Sequence, residues 1–68
     1  MNNTQRIFIN TLNANDRFYF PGSDTLMVCE GRISEGGYTT VTYRAEGDSH
    51  SFGYTRPGLT TVDLVIED

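Results

Sequence analysis

The chain predicts a small all-β domain, with five short strands curled into a partly open barrel. Three observations carry that prediction: apolar and polar residues alternate over short segments, turn-forming groups separate them, and no helical period is sustained. The turn signals are Pro21-Gly22, Gly36-Gly37, Glu46-Gly47-Asp48 and Arg56-Pro57-Gly58. Five such strands are too few to pack two sheets face to face. A curled sheet, by contrast, buries one face and shelters its edges.

Taken in order, residues 1–5 (MNNTQ) are polar and expected to fray. Arg6–Asn10 carries Ile7 and Ile9 on one side and Phe8 on the other, which favours a strand, with a single turn as the alternative. Asn13–Asp16 is a turn cluster. Arg17–Phe20 sets Phe18 and Phe20 against Arg17 and Tyr19, and Pro21-Gly22 supplies the centre of a type II turn. Thr25–Ile33 is the longest strand, with Met27, Cys29 and Ile33 on one face and Leu26 and Val28 on the other. Gly31 marks a bend or bulge within it. Ser34–Gly37 closes a hairpin into Tyr38–Ala45, where Thr39, Val41, Tyr43 and Ala45 share a face. Glu46-Gly47-Asp48 leads into Ser49–Tyr54, and Arg56–Leu59 reads as a second type II turn before Thr61–Ile66. The expected core is Phe18, Phe20, Met27, Cys29, Ile33, Val41, Tyr43, Phe52, Val62, Leu64 and Ile66, with Leu26 or Val28.

Sixty-eight residues make one domain, 1–68, with little surplus stability, since a chain this short hides only about 60% of its unfolded surface. Small domains often add disulfides or a metal. Here Cys29 is the single cysteine and His50 the single histidine, so neither a disulfide within the chain nor a Cys/His zinc site is expected, and no cofactor motif is present. The lone thiol, and a start without a basic segment and long apolar run, point to the cytoplasm. No stretch approaches the roughly 20 apolar residues of a membrane helix. Asn2-Asn3-Thr4 matches a glycosylation triplet and is read as chance.

The order Leu12-Asn13-Ala14-Asn15-Asp16-Arg17-Phe18-Tyr19-Phe20, a Pro-Gly loop, then Leu26-Met27-Val28-Cys29-Glu30-Gly31-Arg32 resembles the start of SH3-like small barrels. In those, a turn ending in Asp leads into a short strand, a loop and a bent central strand. The resemblance spans residues 12–66 and implies a fold and an origin in a phage or mobile element. It carries over no functional residues. The Trp-bearing groove of proline-peptide-binding SH3 domains has no counterpart, because the chain contains no Trp.

Candidate chemistry is sparse. Ser49 and Ser51 flank His50 on a strand and point away from it, so Asp48, His50 and the serines make no triad. Cys29 is expected in the core, and Glu30, Glu35, Glu46, Asp48 and Asp63 scatter over turns and outward positions. Gly36-Gly37 is followed by no helix and cradles no phosphate. What remains is a set of aromatic and cationic side chains: Arg17, Tyr19, Arg32, Tyr38, Arg44, Tyr54 and Arg56. Tyr and Arg are favoured at protein-binding hot spots and also stack on unpaired bases. Nine acidic against five basic residues, all Arg, give a net charge of −4 that disfavours nucleic acid. The expectation is a non-enzymatic module that binds a protein partner or a second copy of itself. The alternative is a barrel binding single-stranded nucleic acid.

Overall fold

A computed structural model describes residues 3–66, and the chain within that span is all-β. Six strands, β1 (Asn3–Phe8), β2 (Arg17–Tyr19), β3 (Met27–Glu35), β4 (Tyr38–Ala45), β5 (Ser51–Pro57) and β6 (Thr61–Ile66), form one sheet in the order β1-β6-β2-β3-β4-β5. All pairings are antiparallel. The strand count is therefore six rather than five, and the sheet is open, with β1 and β5 as its edges. Met1 and Asn2, two of the residues expected to fray, lie outside the described residues, as does the Asn2 of the triplet. Asn3, Thr4 and Gln5 do not fray: they pair with Ile66, Val65 and Leu64. Their side chains are polar and exposed, so nothing in their composition advertised a strand. The backbone of β6 supplies the template, because β6 pairs on one side with β2 and offers its other side to β1.

The decisive irregularity is a bulge in β3. Cys29 stands opposite Tyr43 and Gly31 opposite Thr42, so Glu30 is an extra residue with no partner of its own. One inserted residue reverses the faces of everything beyond it. Before the bulge, Met27 and Cys29 point to the interior, as the alternation predicts. After it, Arg32 stands opposite Val41 and Ser34 opposite Thr39, both on the inner face. Ile33, expected in the core, is turned outward and is 71% exposed. The new inward pair is satisfied locally: the Ser34 and Thr39 hydroxyls lie 2.9 Å apart, and Arg32 Nε donates to the Leu12 carbonyl at 2.6 Å.

The core is Ile9, Leu12, Phe18, Cys29, Val41 and Val62, with Ile7, Phe20, Met27, Tyr43, Tyr54 and Leu64 packed around it. Val28 is also buried, and Leu26 is half-buried. Two expected members join Ile33 outside: Phe52, on an edge strand, and Ile66, at a strand end beyond the packed layer. Ile9 and Leu12 were not expected. They come from a 3₁₀ turn (Ile9–Thr11) and the residue after it, where a two-residue period has no meaning. That segment is held by Ile9 N–H to the Thr60 carbonyl at 2.8 Å and Asn10 N–H to the Gly58 carbonyl at 3.3 Å.

The turns follow the residues in most places. Ser23 N–H donates to the Phe20 carbonyl and Gly22 has φ +79, the type II geometry expected at Pro21-Gly22. Gly36 and Gly37 both have positive φ, as a two-residue type I′ hairpin requires. Arg56–Leu59 differs. Pro57 belongs to β5, the turn bond runs from Thr60 N–H to the Pro57 carbonyl, and Gly58 does not have positive φ. Gly58 is needed for space instead: a Cβ there would sit 3.1 Å from Asn10 Nδ2 and 3.2 Å from Thr39 Oγ1.

Candidate protein-binding face

The inner face carries a graded series of rings running from the core out to the β5 edge. Phe18, fully buried, meets Phe20 and Tyr43 edge-on, at centroid distances of 5.2 and 6.2 Å. Phe20 meets Tyr43 at 5.1 Å and Tyr54 at 4.8 Å. Tyr43 stacks on Phe52 at 5.8 Å, and Phe52 meets His50 at 4.8 Å. The Arg56 guanidinium lies 4.6 Å from the centre of the Tyr54 ring. Register explains the alignment, because Phe52 pairs with Tyr43, Tyr54 with Val41 and Arg56 with Thr39, all inward positions. At the edge the rings emerge: Phe52 is 49% exposed and His50 is exposed.

The backbone of β5 adds directed donors beside these rings. Gly58 N–H donates to the Gly37 carbonyl, and an antiparallel ladder alternates, so Arg56, Tyr54 and Phe52 occupy the pairs bonded to β4. The N–H and C=O groups of Ser51, Gly53 and Thr55 consequently point away from the sheet, and the Thr55 carbonyl accepts from Arg56 Nη1 at 2.7 Å. Pro57 falls on that same outward phase, where its missing N–H costs no internal bond.

The residues singled out from the sequence divide between two faces. Tyr54 and Arg56 belong to the series just described, and Arg32 reaches over the interior to Leu12. Arg17, Tyr19 and Arg44 alternate with inward residues and lie on the opposite face. There Arg17 faces Glu46 at 3.4 Å and Arg44 faces Glu30 at 3.7 Å, while Ser51 donates to Glu30 at 2.6 Å. Tyr19 lines a shallow groove of about 360 Å³ with Thr4, Ser23, Asp24 and Asp63. Asp63 is itself paired with Arg6 at 3.2 Å. Tyr38 is 56% exposed at the far hairpin. Sequence reasoning missed Phe52 as a surface ring, placing it in the core, whereas its reading of His50 as partly exposed agrees with an exposed ring just ahead of β5. An inward phase alone cannot tell an edge strand from a central one.

Three of the five arginines thus already face carboxylates, a poor arrangement for gripping phosphates. The His50 N–H donates to Asp48 Oδ1 at 3.1 Å, a local turn contact. Among the described residues no three His, Cys, Asp or Glu side chains gather to hold a metal, and no helix is long and apolar enough to cross a membrane.

Cys29 is fully buried, and burial pushes its thiol above the ordinary value, with Asp16 and Glu30 adding to the rise against the Gly31 hydrogen bond and Arg32. The folded pKa exceeds the unfolded one, so the associated stability is present below the unfolded thiol value of about 8.5 and is lost as pH rises from there through the folded value. Cys29 in the native chain is therefore expected to resist a thiol-specific reagent at pH values where the urea-unfolded chain reacts at once. Equal labelling rates in the two states would contradict its burial.

No protein-family model, curated protein or solved structure matches this chain.

Proposed function

We propose that this chain is a small non-enzymatic binding module, an SH3-like and partly open barrel, that accepts an extended segment of a protein partner along β5. The SH3-like reading is supported by the β2–β5 meander, the bulge that bends β3, and the return of β6 between β1 and β2. The binding reading rests on one juxtaposition: outward backbone groups at Ser51, Gly53 and Thr55 run beside the half-exposed Phe52 ring and the Arg56–Tyr54 stack. Backbone bonds along an edge supply affinity, and alternate side chains meeting the rings supply selectivity. Rings already packed on one another lose little freedom when a partner covers them.

Selection of random extended peptides displayed on a carrier, followed by titration into the labelled protein, tests this reading. Amide shifts should concentrate on Ser51–Pro57, and Phe52→Ala should weaken binding by about 1–2 kcal/mol, the scale of a hot-spot ring. Arg6→Ala, on β1 at the opposite edge of the sheet, should leave affinity unchanged. Failure to select any peptide, or shifts centred elsewhere, would discard the proposal. A single-stranded oligonucleotide that binds at low salt and is released as salt rises would favour the nucleic-acid alternative.

A further inference from the structure

We infer that the strand fitting the β5 edge is β5 of a second copy, joined antiparallel about a two-fold axis at Tyr54. The inference rests on the edge-binding reading above and names its occupant. The two edges of the sheet differ in how they are guarded. Ile9 N–H bonds the Thr60 carbonyl, and the same alternation puts the outward backbone groups of β1 at Thr4, Arg6 and Phe8, with the charged Arg6 in the middle. A charge at that position is a common device against edge pairing. On β5 the outward positions are Ser51, Gly53 and Thr55, all uncharged. The one charged residue of the strand, Arg56, starts from the inward phase and donates Nη1 to the Thr55 carbonyl at 2.7 Å, so a partner strand shares that carbonyl with it.

Self-pairing about Tyr54 matches donors to acceptors. Gly53 of each copy meets Thr55 of the other, and the Ser51 N–H meets the Pro57 carbonyl; the Thr55 and Pro57 carbonyls already accept from Arg56 Nη1 and Thr60 N–H and take the new bond on their second lone pair. The Pro57 nitrogen, which has nothing to donate, falls at the end of the ladder rather than within it. On the inner face Arg56 of one copy lies across from Phe52 of the other, covering that half-exposed ring with the only cation of the strand. The two Arg56 side chains stay about 13 Å apart along the strands, so like charges do not meet. The sheet then runs unbroken through both copies, with Tyr54 against Tyr54 at its centre. An interface confined to one strand and one ring tier is small, so the dimer is transient and concentration-dependent.

The test is light scattering on the full chain from micromolar to millimolar concentration. It is joined by titration of a synthetic peptide of residues 50–57, the chain's own strand, into the isotope-labelled protein. The mass should climb from monomer toward dimer, and peptide shifts should fall on β5. Gly53→Pro removes an outward N–H without touching the β4 ladder, and space beside Gly53 is open. Thr55→Lys places a charge beside the same donors. Each variant, with its native circular dichroism retained, should weaken self-association about tenfold or more. A monomeric chain that ignores its own strand overturns the second copy as occupant. If selected foreign peptides still map to β5 in that chain, the edge-binding reading survives alone. If nothing maps there, both fall. Self-association that persists undiminished in both variants also overturns the inference, because the contact then lies elsewhere.

Discussion

Phe18→Ala is expected to remove about half or more of the chain's folding stability. Phe18 has no exposed surface, stands opposite both Met27 and Leu64, and packs its ring edge against Phe20 and Tyr43. Truncating a buried phenylalanine costs about 3–5 kcal/mol. A domain of this length holds only about 3–10 kcal/mol in total, at roughly 0.05–0.15 kcal/mol per residue. The loss also reaches the binding face, since Phe20 and Tyr43 carry the Tyr54 and Phe52 rings toward the edge. Thermal melts followed by circular dichroism would read the effect, with Phe18→Leu as the milder variant that keeps most of the volume. A Phe18→Ala chain that melts cooperatively within a few degrees of the parent would show that the core lies elsewhere.

Deletion of Glu30 is expected to be clearly more damaging than Glu30→Ala. The substitution removes a side chain that accepts from Ser51 at 2.6 Å and faces Arg44 at 3.7 Å, both on the surface, worth about 1 kcal/mol together. The deletion removes a backbone position as well. Cys29 opposite Tyr43 and Gly31 opposite Thr42 then become consecutive pairs, so the ladder turns regular and every other residue of β3 keeps its face. What is lost is the extra bend that the bulge gives the strand. That bend sets the fit of the backbone bonds between Cys29 and Asn15 and Asp16, and of Arg32 on the Leu12 carbonyl. The expected cost is about 1–3 kcal/mol beyond that of the side chain. Comparing urea midpoints of the two variants separates the role of the side chain from that of the extra residue. Equal midpoints would mean that the bend at Glu30 contributes nothing to stability.

These two variants also explain why an open sheet suits the proposed activity. The bulge brings Arg32 and Ser34 inward, so β4 can present Thr39, Val41 and Tyr43 as one inner row, onto which β5 lays Arg56, Tyr54 and Phe52. Because β5 has no neighbouring strand beyond it among the described residues, the last rings of that row emerge at the surface beside a backbone edge that no strand covers. A closed barrel would have hidden both.

Much of the architecture can be read from the residues. Alternation in Arg17–Phe20, Tyr38–Ala45 and Thr61–Ile66, punctuated by Pro21-Gly22 and Gly36-Gly37, determines an all-β chain, because these patterns report local geometry. The burial of Phe18, Cys29, Val41 and Val62 follows from the same alternation. Four features were decided only by tertiary structure. Asn3–Gln5 became a strand because β6, some sixty residues along the chain, offers them a partner. Ile33 came out because one extra residue at Glu30 reversed the phase. Ile9 and Leu12 went in because a turn, which has no two-residue period, fits against the loop at Gly58 and Thr60. Phe52 and Tyr54 came to flank an open edge because, among the described residues, no strand pairs beyond β5. Each depends on which distant backbone lies alongside, a choice made by long-range pairing that local sequence does not encode.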